Sequence, residues 1–196
     1  MHGNLISSVK DPGPLKLSGN VAKWQKWFMM APAAILLALL GAIVTDNMKL
    51  FWQHYVIETY YFLGFGLFGL IFAAIHHAAN VTWSANVRRV AEGFWYFIFI
   101  AFVLVVILGL FGLDQVYDWT NPEIHHHFGA IKQAYMSKPG FFVKQIIFFG
   151  IAIFFGGKLV GLSLKQDQTG DVELSKSLNK WSVVFLFMFA YSFTVA

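Results

Sequence analysis

Residues 93–113 are 21 consecutive positions without a charge. At about 1.5 Å per helical residue they can cross a hydrocarbon core of about 30 Å. Such runs recur: residues 56–77 are uncharged after Glu58, residues 27–44 and 181–196 carry no charge, and residues 139–162 carry only Lys144 and Lys158. About 21 Å of helix separates those two lysines, so each ammonium can reach its own interface. Charged residues make up 12% of the chain and hydrophobic ones 58%, where a soluble domain has about 25% charged. The fold class that follows is an all-α membrane protein, a multi-span transmembrane helix bundle of about five spans near 27–44, 56–77, 93–113, 139–162 and 181–196.

The absence of cysteine excludes disulfides, thiolate-held iron–sulfur clusters, cysteine zinc sites and covalently attached c-type haem. Any redox centre must use histidine or belong to a partner. The net charge of +4 does not point to nucleic acid, because most basic residues flank apolar runs. Residues 1–26 read as a polar tail, with a turn at Asp11-Pro12-Gly13-Pro14. The run at 27–44 lies too far from the start for a cleaved signal and has no small-residue cleavage site, so it reads as a retained span. Ten of the fourteen Lys and Arg residues fall on the side of the N-terminus, which makes that side cytoplasmic by the positive-inside rule. Residues 163–180 then read as an inner polar connection. The periplasmic connection holds Asn121-Pro122-Glu123, a helix start, followed by Ile124, Phe128, Ile131 and Tyr135 at helical spacing. One amphipathic helix over 122–135 is expected, lying on the membrane or under a partner. The last run is only about 24 Å of helix, and the chain reads as a fragment or as half of a split subunit.

Gly64-Phe65-Gly66-Leu67-Phe68-Gly69 matches a dinucleotide-binding pattern, but it lies mid-membrane. Small residues that let helices approach closely explain it better, and Gly157 with Gly161 invites the same reading. His125, His126 and His127 point about 100° apart on one helix, so they cannot all reach one ion. His54, His76 and His77 do not supply haem ligands from different spans at matching depth. The richest cluster is the stretch 76–93, with His76 and His77 ending one span and Arg88, Arg89 and Glu92 entering the next. Arg88 and Glu92 are four apart on one face. Ionisable groups at span ends are proton-relay or ligand-contact candidates, and Glu58, one turn into its span, is another. The bland alternative is that Trp83, Arg88 and Arg89 are interfacial anchors and Glu92 pairs with Arg88.

The stretch 75–93, read with Trp119-Thr120-Asn121-Pro122-Glu123-Ile124-His125 and Pro139-Gly140-Phe141-Phe142-Val143-Lys144, resembles the smaller polysulfide-reductase-type membrane subunit of bacterial alternative complex III. That complex is a quinol to cytochrome c or copper-protein oxidoreductase. Family members have roughly ten spans in two related bundles, and this chain corresponds to the N-terminal half. Arg88, Arg89 and Glu92 match the family's arginines and glutamate entering the third span. The resemblance implies a multi-pass protein of the bacterial inner membrane, whose partners are a larger paralogous membrane subunit, a periplasmic iron–sulfur protein and haem c subunits. Quinol would bind nearby, and this chain would hold no cofactor or metal of its own. It would support the membrane arm, with Glu58, Glu92, His76 and His77 as candidates for proton transfer, and Arg88 would favour the charged carboxylate.

Two rival readings stand beside this one. Half of a secondary transporter or ion channel fits Gly-rich helices, but charge is scarce at mid-depth in all five runs. A purely structural anchor would dock periplasmic redox subunits through 122–135. Purified alone, the chain is expected to show no haem band in its visible spectrum; a Soret band that copurifies with it would contradict the ligand reasoning.

Overall fold

A computed structural model describes residues 25–26, 30–81 and 83–195. Of the expected tail only Gln25 and Lys26 are described, and positions 27–29 of the first expected span and the last residue of the fifth lie outside the described residues. Every regular element among the described residues is helical. The chain divides into two compact units, residues 1–47 and 48–196.

The first unit contains helix α1, Ala31–Val44, with Pro32 in its opening turn where no intrahelical N–H is needed. Its 14 residues make about 21 Å of helix, short of a bilayer core. Its large side chains, Ile35, Leu36, Leu37, Leu40, Ile43 and Val44, are exposed.

The second unit contains α2 (Met48–Ala78), α3 (Ala85–Gly93), α4 (Tyr96–Ile107), a π-helical segment (Leu108–Gly112), α5 (Leu113–Val116), a 3₁₀ turn (Asp118–Thr120), α6 (Pro122–His125), α7 (Ala130–Tyr135), α8 (Lys138–Thr169) and α9 (Glu173–Val195). Among the described residues four helices are long and apolar enough to cross a membrane: α2, the run Val87–Val116 from α3 to α5, α8 and α9. The protein is thus an all-α membrane helix bundle. The run Val87–Val116 tightens after Glu92, where Phe94 N–H donates to Ala91 O and Trp95 N–H to Glu92 O, each three residues back. Phe68, Leu110 and Phe187 point outward from the bundle, as a lipid-facing surface requires, while Leu70, Ile98, Val105, Phe149, Leu159 and Phe185 fill its core.

Two expectations need correction. The polar stretch 163–180 is not a connection: α8 runs to Thr169 and α9 begins at Glu173. Only three residues join them, with Gly170 in the left-handed region (φ 65°) and its N–H donating to Gln166 O. Hydropathy falls where the helices leave the apolar layer, but backbone hydrogen bonding does not. Leu178 extends into this stretch the buried stripe that Ser182 and Phe185 form in α9, and the 23 residues of α9 reach about 35 Å. Nor is 122–135 one helix. Asn121 does cap a helix start by accepting from Glu123 N–H, but α6 ends at His125 and α7 starts after Gly129, which adopts an extended conformation (ψ 156°). Gln133 ties the halves together, donating to His125 O and Phe128 O, and Ile131 is left 90% exposed.

Glycines set the close approaches. A Cβ on Gly69 would collide with the Ala91 carbonyl and lie 2.8 Å from Phe94 Cβ, and one on Gly66 would lie 2.8 Å from Ile98 Cγ1. Both bring α2 against α3 and α4, as the small-residue reading of this motif requires. Gly64 faces open space. In α8 it is Gly156, not Gly161, that allows the close contact: its face receives the Trp95 indole, with Gly157 in ordinary contact and Gly161 in open space. The π-helical segment places Gly109 against Phe142 and Gly112 against Trp52, and Tyr55 Oη donates to Leu104 O, 3.0 Å away. Gly69→Ala is expected to destabilise the bundle by about 1–3 kcal/mol through overpacking against backbone, whereas Gly64→Ala should be neutral; thermal unfolding in detergent micelles distinguishes them.

Candidate functional site

The last turn of α2, the first turns of α3, the C-terminal part of α8 and the N-terminal part of α9 meet at one end of the second unit. Asn80 makes the exit from α2 possible by adopting φ 52°, a conformation that asparagine tolerates better than most residues. Asn80 N–H donates to His77 O and Val81 N–H to His76 O. From α9, Asn179 Nδ2 donates to Ala78 O at 2.7 Å and to His77 O at 3.3 Å, so the end of α2 is capped by another helix.

Glu92 lies at the centre of this end, 3% exposed. Its Oε2 accepts from Arg89 Nη1 at 2.6 Å. Its Oε1 accepts from Ser163 Oγ at 2.8 Å and lies 3.3 Å from His77 Nε2. A buried carboxylate is costly unless donors meet it, and three donors from three helices meet this one. Arg89 extends the network, donating to Ser163 O at 3.2 Å and pairing with Asp167. With His77 neutral the formal charge of Glu92, Arg89 and Asp167 is −1; a proton on His77 brings the cluster to zero.

Both histidines have a defined proton arrangement. A carboxylate only accepts, so His77 carries its proton on Nε2 toward Glu92, and among the described residues its Nδ1 has no hydrogen-bond partner. His76 Nδ1 lies 2.7 Å from Phe72 O and must be the protonated nitrogen. Both residues line a cleft of about 370 Å³ together with Asn80, Val81, Arg88, Gln166 and Ser175. His77, 6% exposed, therefore stands between the cleft and the buried carboxylate.

The sequence reading is corrected on Arg88, which does not pair with Glu92. Its Nη1 reaches Val81 O at 3.4 Å, while Arg89 takes the carboxylate at three-residue spacing. The reason is tertiary: Ser163 O and Asp167, one turn apart on α8, hold the Arg89 guanidinium beside Glu92. Glu58 is not part of the cluster. It is exposed on α2, 19 residues and about 28 Å of helix from His77. His54 and His76 lie on the same helix about 33 Å apart, and His125 is turned toward Gln133 O, 3.2 Å away. Among the described residues no three His, Asp or Glu side chains come together as a metal site. Ser163, Asp167 and Asn179 do not stand out in the sequence; the signal it carries is that Ser163 and Asp167 are four apart at the end of a span that finishes on the same side as Glu92.

No family model matches the sequence, and no curated protein is significantly similar to it.

The two arginines should separate in stability. Arg89→Gln leaves a buried carboxylate underpaired and is expected to cost about 2–3 kcal/mol. Arg88→Gln should stay within about 0.5 kcal/mol. Chemical denaturation in mixed micelles measures both, and equal losses would contradict the assignment of Arg89 as the partner of Glu92.

Proposed function

We propose that this chain is a membrane subunit of a bacterial respiratory quinol:cytochrome c oxidoreductase of the alternative complex III type, supporting the membrane arm and moving protons at the His77–Glu92 end. The observation that carries the proton-transfer part is His77 itself, which touches a solvent-accessible cleft on one side and a buried carboxylate on the other. An imidazole accepts a proton at one nitrogen and releases one from the other. A proton taken up at Nδ1 from the cleft releases the Nε2 proton to Glu92 Oε1, and ring reorientation resets the donor.

In this reading the chain holds no redox centre. Electrons pass through the iron–sulfur protein and haem c subunits on the periplasmic side, a larger paralogue completes the membrane arm, and the His77–Glu92 end faces the cytoplasm of a bacterial inner membrane. The resemblance of residues 75–93 and 119–125 to the smaller membrane subunit of such complexes supports the partner set. The many outward-facing apolar side chains of the four spanning helices fit a subunit that packs against other membrane helices as well as lipid.

The chain, affinity-tagged in its native host, is expected to copurify with haem c-bearing subunits that oxidise quinol. Recovery without haem-bearing partners would refute the assignment. In the assembled complex Glu92→Gln keeps a similar shape but cannot bind and release a proton, so it should slow quinol-driven proton uptake by about tenfold or more. His77→Gln should do the same. Unchanged uptake, with the complex intact, would leave Glu92 as a purely structural pin between three helices.

A further inference from the structure

The cleft beside His77 has a second chemical property that proton transfer does not require. Its lining offers the Arg88 guanidinium, the Asn80 amide, the Ser175 hydroxyl and two imidazoles, and no carboxylate. The acids nearby lie outside the lining: Glu92 lies behind His77 with three donors on it, Asp167 is held by Arg89, Glu173 pairs with Lys176, and Asp171 Oδ1 accepts from Glu173 N–H. Among the described residues Arg88 has no acidic partner within 4 Å; its one hydrogen bond is the long one to Val81 O. It is only half-buried, so its fork of donors is anchored by the cleft wall and still accessible. Gln166 spends its Nε2 donor on Ser175 Oγ and Asp171 O, and no hydrogen bond joins its Oε1 to Arg88.

A cleft with unspent donors around an uncompensated guanidinium matches a tetrahedral anion, since arginine binds phosphate oxygens in pairs. Its position narrows the ligand. The cleft opens where α2 and α8 leave the apolar layer, beside Trp83, whose indole is 79% exposed and packs edge-on against His76 with ring centroids 5.8 Å apart. Tryptophan at such a place belongs at headgroup level. We propose that this cleft binds a phosphate group, with Arg88 and Asn80 as its principal donors, supplied by an acidic phospholipid headgroup or by free phosphate. This inference does not rest on the assignment to a respiratory complex or on proton transfer through His77.

The full chain in phosphatidylcholine nanodiscs containing a minor fraction of phosphatidylglycerol provides the first test, with retained lipids counted by native mass spectrometry. One phosphatidylglycerol should be retained per chain. Arg88→Gln should weaken retention by about tenfold, as expected for loss of a charge-assisted hydrogen bond. Asn80→Gly keeps the left-handed backbone while removing the amide, and should weaken it by about threefold or more. Lys180→Gln, at the same end but outside the cleft, should have no effect. In pure phosphatidylcholine discs, ³¹P line broadening of inorganic phosphate that disappears in Arg88→Gln would instead assign the site to free phosphate. Binding of neither probe, or equal losses in Arg88→Gln and Lys180→Gln, would overturn the proposal.

Discussion

A carboxylate withdrawn from water must find donors or give up its charge, and this demand organises one whole end of the bundle. Glu92 sits where a spanning helix tightens its backbone, and its three donors come from α2, α3 and α8. Each partner is itself held: Arg89 by Ser163 O and Asp167, and the end of α2 by Asn179 from α9. Helix packing at this end is therefore specified by polar geometry, since lipid supplies no hydrophobic drive for one apolar helix to prefer another. A buried ionic network of this kind is weak evidence for stability but good evidence that the alignment of the helices is fixed.

Elsewhere the bundle is specified by shape. Gly66 and Gly69 let α2 lie against the backbone of α3 and α4, and Gly156 accepts the Trp95 indole. The two mechanisms meet within a few residues of each other: Ala91, whose carbonyl faces Gly69, immediately precedes Glu92. A shift of α2 along α3 would break the glycine contact and the His77–Glu92 contact together, so packing and the candidate proton path share one alignment.

Much of this was legible in the sequence. Uninterrupted apolar runs gave the helical membrane class and located all four long helices, because length and charge depletion are what the bilayer requires of a spanning helix. The cluster at 76–93 was legible too, since ionisable residues at the ends of consecutive spans share one side of the membrane. Hydropathy could not place the ends of helices that continue beyond the apolar layer, which is why 163–180 read as a connection. The choice between Arg88 and Arg89 was likewise out of reach. Spacing along α3 allows either, and the decision is made by Asp167 and the Ser163 carbonyl, more than 70 residues away in sequence. The break at Gly129 was carried by a single residue in an otherwise regular stripe, and periodicity alone overrode it.

The π-helical segment Leu108–Gly112 adds one residue to a turn of the spanning helix. Everything after it is rotated by about 100° relative to an unbroken α-helix. That rotation is part of what turns Leu113 into the core and Asp114 toward Lys138, 2.6 Å away. Removing one residue from this segment would leave composition and length almost untouched, yet it would turn Leu113 out of the core and carry Asp114 away from its partner. The segment thus acts as a phase setter for the far end of the helix, and length variation should be far less tolerated there than in the loops that follow it.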